Sequence, residues 1–281
     1  MESLHNDVYP ELDSVLHRFV ARVQSALGSN FIGAYLVGSL ATGDFDLDSD
    51  VDFLVLTRVE LREADVKSLE AIHSDVHALG SYPAEHLEGS YLPAELLDRP
   101  DAVGVEPVWY VDNGSTSLVL SIHDNRWHVR WILRERGIVI TGPDPKTFLP
   151  PISIEALRGE AASSIQELAR RFIAELDRPI GWFNTRFGQS FAVLTCCRML
   201  QTCASGIVDS KLSSVKWAER SLDPGWSGLI RQAWMERRGV RFGEKVRQPA
   251  GATVMRETAD FLAYAVRLAE SSRARPRTTS D

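Results

Sequence analysis

The stretch Leu36-Val-Gly-Ser-Leu-Ala-Thr-Gly-Asp-Phe-Asp-Leu-Asp-Ser-Asp-Val-Asp-Phe-Leu-Val-Leu56 decides how this chain is read. An apolar run from Phe31 to Val37 reads as a buried strand, and Asp52 to Leu56 reads as the next. Between them lie a Gly38-Ser39 turn and a ten-residue excursion, followed by Asp50. Residues two apart on a strand share a face, so Asp50 and Asp52 aim their carboxylates one way while Val51 and Phe53 enter the core. Their backbones stand roughly 6.6 Å apart at the usual strand rise. That separation suits a metal pair roughly 4 Å apart of the kind used in phosphoryl transfer. Gly38 lets the backbone approach a phosphate closely, and the Ser39 hydroxyl with nearby amides can donate to phosphate oxygens. A calcium loop is excluded. It needs Gly at its sixth position and Glu at its twelfth, and counting from Asp44 gives Ser49 and Val55, from Asp48 Phe53 and Val59.

The 281 residues leave room for one large domain or two ordinary ones. A hydrophobic fraction of 44% with 25% charged residues is that of a globular protein. No apolar run nears the ~20 residues of a membrane span, and the N-terminus lacks the basic and apolar regions of a secretory signal. The expectation is a cytoplasmic protein with no membrane partner. Cys196, Cys197 and Cys203 fall on one predicted helix and read as small apolar packing groups rather than a disulfide framework. The net charge of −7 argues against a nucleic-acid partner and favours a cationic small molecule.

Apolar residues at Leu12, Val15, Leu16, Phe19, Val23 and Leu27 predict a first helix stopped by Gly28. Glu60 to Gly80 predicts a second helix, and Glu85 to Leu92 a strand with Glu88, Ser90 and Leu92 on one face. Residues 93–116 read as loops around a short strand at Val108–Val111. His123 to Arg136 reads as a helix and Gly137 to Thr141 as a last strand. Pro150-Pro151 marks a boundary, after which the pattern is helical almost throughout, with Ser210 an N-cap and Gly206 a C-terminal stop. The fold class expected is α+β: a domain over 1–150 with a mixed sheet and flanking helices, an all-α bundle over 151–272, and a disordered tail over 273–281. The histidines show no zinc spacing and read mostly as surface or helix residues.

Two regions carry a family resemblance. The Gly38-Ser39 … Asp50-Val51-Asp52 pattern with flanking strands resembles the polymerase-β-like nucleotidyltransferases. The segment Val193-Leu-Thr-Cys-Cys-Arg-Met-Leu-Gln-Thr-Cys-Ala-Ser-Gly-Ile-Val-Asp-Ser-Lys211, followed by Val215-Lys216-Trp217-Ala218, resembles the helical C-terminal domain of aminoglycoside adenylyltransferases of the streptomycin and spectinomycin type. The resemblance implies Mg²⁺-dependent transfer of AMP from ATP to a hydroxyl of an aminoglycoside or aminocyclitol antibiotic, with release of pyrophosphate. It implies Asp50 and Asp52 as metal ligands, Glu88 as general base or third metal ligand, and Gly38, Ser39, Arg198 and Lys211 around the triphosphate. The helical half would then close over substrate and nucleotide. Trp109 and Trp182 stand where antibiotic-stacking aromatics are expected, although Gly188 or Gln189 occupies a position that is acidic in those enzymes. The chain would act as a monomer or weak dimer. Two rivals stay open: the same chemistry on a protein or RNA acceptor, and a nucleotide-binding sensor without turnover.

Overall fold

The computed structural model describes residues 8–178, 181–237 and 248–274. Helix α1, Leu12–Leu27, buries its apolar stripe from Leu12 to Leu27 and ends at Gly28, whose φ of 51° needs a residue without a Cβ. Strand β1, Phe31–Leu36, follows, then a short helix α2, Gly38–Thr42, in place of a simple turn. Strand β2 spans Val51–Thr57, helix α3 Glu63–His77, helix α4 Tyr82–Glu85 and strand β3 Leu87–Pro93. Strand β4 is Val108–Val111, as the sequence predicts, and strand β5, Leu118–Ser121, is an addition to the expected elements. Helix α5 begins only at Trp127 and runs to Arg136, so His123 to Arg126 form a loop instead of its first turn. Strand β6, Ile138–Thr141, closes the series.

The six strands form one sheet in the order β5-β4-β3-β2-β1-β6. Only the β2–β3 neighbours run parallel; all other pairs are antiparallel. Alternation along the strands separates two faces. Val51, Phe53, Val55, Leu87 and Tyr91 join Phe19 and Val23 of α1 and Leu69, Ile72 and Val76 of α3 in one core. Asp52, Leu54, Glu88, Ser90 and Tyr110 therefore take the opposite face. Each large apolar side chain so buried contributes roughly 2 kcal/mol, which locks the register and with it the direction of Asp52 and Glu88. His73 sits inside this core, 3% exposed and bonded to the Tyr91 hydroxyl at 2.9 Å. Burial pushes its pKa down to about 4, so it is a neutral core histidine and not a surface one.

The chain divides into two compact units, Met1–Ile152 and Ser153–Asp281. The described part of the second is helical: α6 Ile154–Glu175, α7 Arg186–Ser205, α8 Lys211–Ser221, α9 Ser227–Arg237 and α10 Ala252–Ala274. Helix α7 packs against α6, α8, α9 and α10, which is why apolar residues occur around its whole circumference. It starts a turn earlier than the apolar spacing suggests, because Thr185 caps it by accepting from the Gly188 amide. Gly206 ends it in the left-handed region at φ 72°, and Ser210 caps α8 by accepting from the Ser213 amide. All three cysteines are buried there without a disulfide. Helix α10 continues to Ala274, past the 273 start expected for a disordered tail; residues 275–281 lie outside the described residues. Among the described residues no helix is long and apolar enough to cross a membrane.

Candidate active site

The parallel pairing of β2 and β3 sets Asp52 directly beside Glu88. Both lie on the sheet face away from the α1–α3 core, and both are half-buried or deeper, Glu88 with 15% of its side chain exposed. Asp52 lies inside β2, where its carbonyl accepts from the Val37 amide at 3.0 Å. Its carboxylate fills the space over Gly38: a Cβ on Gly38 would fall 1.8 Å from Asp52 Oδ2, and φ at Gly38 is 56°. Glycine is required there on both counts. Beside it the Ser39 hydroxyl is buried with no hydrogen-bond partner among the described residues. Asp50 precedes the first residue of β2, so strand geometry does not fix it. The acidic loop before it is internally bonded, with Asp46 accepting from the Ser49 hydroxyl at 2.8 Å and from the Asp48 amide at 3.1 Å.

Glu88 is the electrostatic centre of this face. Burial pushes its pKa up to about 7, Asp50, Asp124 and Asp112 push the same way, and a hydrogen bond from Tyr110 opposes them. The Tyr110 hydroxyl lies 2.6 Å from Glu88 Oε1 and 3.0 Å from Asp112 Oδ1, so one phenolic proton faces two carboxylate acceptors. His123 Nε2 stands 3.5 Å from Glu88 Oε1, its ring stacked on Tyr110. Ser90, next along the same face of β3, donates to Asp124 at 2.7 Å. Asn113 donates its amide to Asp50 and accepts from His86 Nδ1 at 2.7 Å.

Of the residues singled out in the sequence, the structure brings Gly38, Ser39, Asp50, Asp52 and Glu88 to the same end of one sheet. Trp109 pairs with Tyr91 and packs with the α1–α3 core, on the opposite face from Glu88, because Tyr110 beside it takes the site face. Its indole nitrogen is buried without a hydrogen-bond partner among the described residues. Arg198 is a half-buried residue of α7, and Lys211 is the first residue of α8. Trp182, 42% exposed, heads an aromatic group with Phe183, Phe187 and Phe191. All three lie in the second unit. Tyr110, Asp112, Asn113, His123 and Asp124 escaped the sequence reading. Only the antiparallel register of β3 and β4 sets residue 112 level with Glu88, and no local pattern signals it.

The donor set suits a hard divalent cation. Asp50 and Asp52 offer carboxylate oxygens, and the unpartnered Ser39 hydroxyl offers a third polar group. Among the described residues no group of three or more His, Cys, Asp or Glu could hold a metal alone. Mg²⁺ commonly takes one or two carboxylates and completes its shell with water and substrate phosphate, so a two-carboxylate site fits it.

Residues 18–92 match the nucleotidyltransferase domain, and residues 149–263 match the aminoglycoside adenylyltransferase C-terminal domain. The chain is 26% identical over 220 residues to spectinomycin 9-adenylyltransferase of Staphylococcus aureus, covering 70% of this chain and 74% of that protein. Among solved structures, its fold is similar to that of the spectinomycin adenyltransferase AAD(9) from Enterococcus faecialis, determined with ATP and spectinomycin. That likeness has a TM-score of 0.64 at 15% identity and covers 91% of this chain and 99% of the other. With the first domain carrying the acidic face and the second following it in order, the chain is an adenylyltransferase that joins a nucleotidyltransferase domain to an aminoglycoside adenylyltransferase C-terminal domain.

Proposed function

We propose that the protein transfers AMP from ATP to a hydroxyl of an aminoglycoside or aminocyclitol antibiotic, spectinomycin or streptomycin in type, and releases pyrophosphate. The observation that carries this reading is Glu88: a largely buried carboxyl in register with Asp52, with its pKa near 7. A general base works best with a pKa close to the operating pH. An ordinary surface carboxylate would be too weak a base for an alcohol.

In this reading Asp50 and Asp52 hold Mg²⁺, which would neutralise charge on the triphosphate. Gly38 makes room for the Asp52 carboxylate beside the phosphate site, and Ser39 donates its hydroxyl, unpartnered among the described residues, to a phosphate oxygen. Glu88 takes the proton of the acceptor hydroxyl, whose oxygen then attacks the α-phosphorus in line with the departing pyrophosphate. Tyr110, donating to Glu88, holds the carboxylate in one orientation and stabilises it until the acceptor arrives. Arg198 and Lys211 are assigned to the triphosphate on the family pattern. A cation at the first position of α8 opposes that helix's dipole, a placement that costs a helix a few tenths of a kcal/mol and suits an anionic ligand. Trp182, exposed and ringed by aromatics, is assigned to the antibiotic.

The test is incubation with ATP, Mg²⁺ and a panel of aminoglycosides and aminocyclitols, following pyrophosphate and the mass of the antibiotic. A gain of one AMP on an antibiotic is the expected outcome. Asp52→Asn removes turnover, whereas Glu88→Gln keeps ATP binding and lowers kcat by about 100-fold or more. Binding of ATP with no turnover on any acceptor would overturn the assignment.

A further inference from the structure

Asp50 and Asp52 are held in different ways. Asp52 is inside the β2 ladder and wedged over Gly38. Asp50 is one residue outside it, before the first paired residue of the strand. Sheet register brings an outside residue to it. Val51 pairs with Leu87, and Gly89 pairs with Val111, so residue 113, two past the end of β4, comes level with the start of β3 and β2. There the Asn113 amide donates to Asp50 Oδ1.

The chemistry fixes which way this amide faces. An ionised carboxylate only accepts, so the NH₂ of Asn113 must point to Asp50 and its oxygen to His86. That oxygen accepts in turn, so His86 Nδ1 carries a proton, 2.7 Å away. His86 is anchored twice at the same place. Its carbonyl accepts from the Val51 amide at 2.9 Å, and its ring packs on Tyr82 with centroids 4.0 Å apart. The histidine thus fixes the asparagine, and the asparagine fixes Asp50.

We propose that Asn113, oriented by His86, is the positioning residue that holds Asp50 ready to bind the divalent cation. This rests on the function proposed above. Partners behind metal ligands typically govern affinity 10–100-fold. The test uses the full chain with a non-hydrolysable ATP analogue and Mn²⁺, titrated by the loss of the free-ion electron paramagnetic resonance signal. Asn113→Ala is expected to weaken Mn²⁺ binding about 10-fold, and to raise the Mg²⁺ needed for half-maximal rate without changing the KM of the antibiotic. His86→Phe, which keeps the ring on Tyr82 and removes the donor, is expected to shift both in the same direction by less. A merely structural asparagine would lower the melting temperature and leave the Mn²⁺ affinity of the folded protein alone. Wild-type Mn²⁺ affinity in Asn113→Ala overturns the proposal. If that variant does not fold, unchanged affinity in His86→Phe overturns it. Mn²⁺ binding by the wild-type protein without turnover of any antibiotic would instead remove the proposed function and leave the Asn113 comparison intact.

Discussion

Burial makes the ionised form of Glu88 unfavourable at neutral pH, and the three aspartates around it add to the effect. The sign of the consequence follows directly. The folded state holds this proton up to about pH 7 and the unfolded chain releases it near 4.5, so stability falls as pH rises between those values. Above pH 7 the cost is about 3 kcal/mol relative to an unshifted carboxyl. Glu88→Gln, an uncharged isostere that still accepts from Tyr110, should therefore raise the melting temperature at pH 8 and change it little at pH 4.5, while activity is lost. Thermal unfolding at the two pH values checks this; equal shifts at both would refute it. Gly38 makes the complementary case. Gly38→Ala would drive a Cβ into the Asp52 carboxylate at a positive φ, so it should both destabilise the protein and cut turnover, measured on the same preparation.

The loop between β3 and β4 owes its shape to one buried cation. Arg130 of α5, 2% exposed, donates to the carbonyls of Leu96 and Leu97 and to Asn125 Oδ1. Asn125, fully buried, donates to the carbonyls of Ala102 and Glu106. Together they satisfy backbone groups that a buried loop would otherwise leave without partners. Removing the guanidinium strands those carbonyls, so Arg130→Ala should cost about 3 kcal/mol or more in urea unfolding of the full chain. Arg130→Lys should recover less than half, because an ammonium cannot reproduce the planar fork. A loss under about 1 kcal/mol for Arg130→Ala would mean that water replaces the network. Asn125 belongs to the loop between β5 and α5, and that loop delivers His123 and Asp124 to the site, which the apolar spacing had placed in the first turn of a helix. Strand β5 was missed for a related reason: four residues with two exposed apolar side chains, Val119 and Leu120, give no period to read.

On the function proposed above, an acidic protein acting on a cationic antibiotic gains from long-range attraction. With a net charge of −7, the KM for the antibiotic should rise several-fold as NaCl goes from about 50 to about 300 mM, while kcat changes less. A salt-independent KM would mean that recognition is local and the overall charge incidental. Steady-state kinetics at four salt concentrations decide it.

Alternation and spacing were enough to read most of the elements and the acidic cluster from the chain. Val51, Asp52 and Phe53 must split between core and site in any strand, and Leu12 through Leu27 can hide their apolar stripe only as a helix. Those are local constraints, written in the order of neighbouring residues. The partners of Glu88 and Asp50 are not local. Tyr110 and Asn113 acquire their roles because β4 runs antiparallel to β3, and β3 parallel to β2, which brings residues 22 and 63 positions apart into hydrogen-bond contact. Trp109 follows the same rule: next to Tyr110 on a strand, it has to face the other way, and only the sheet tells which of the two faces Glu88. Periodicity reports that two faces exist, but strand order and register decide which side chains meet on each.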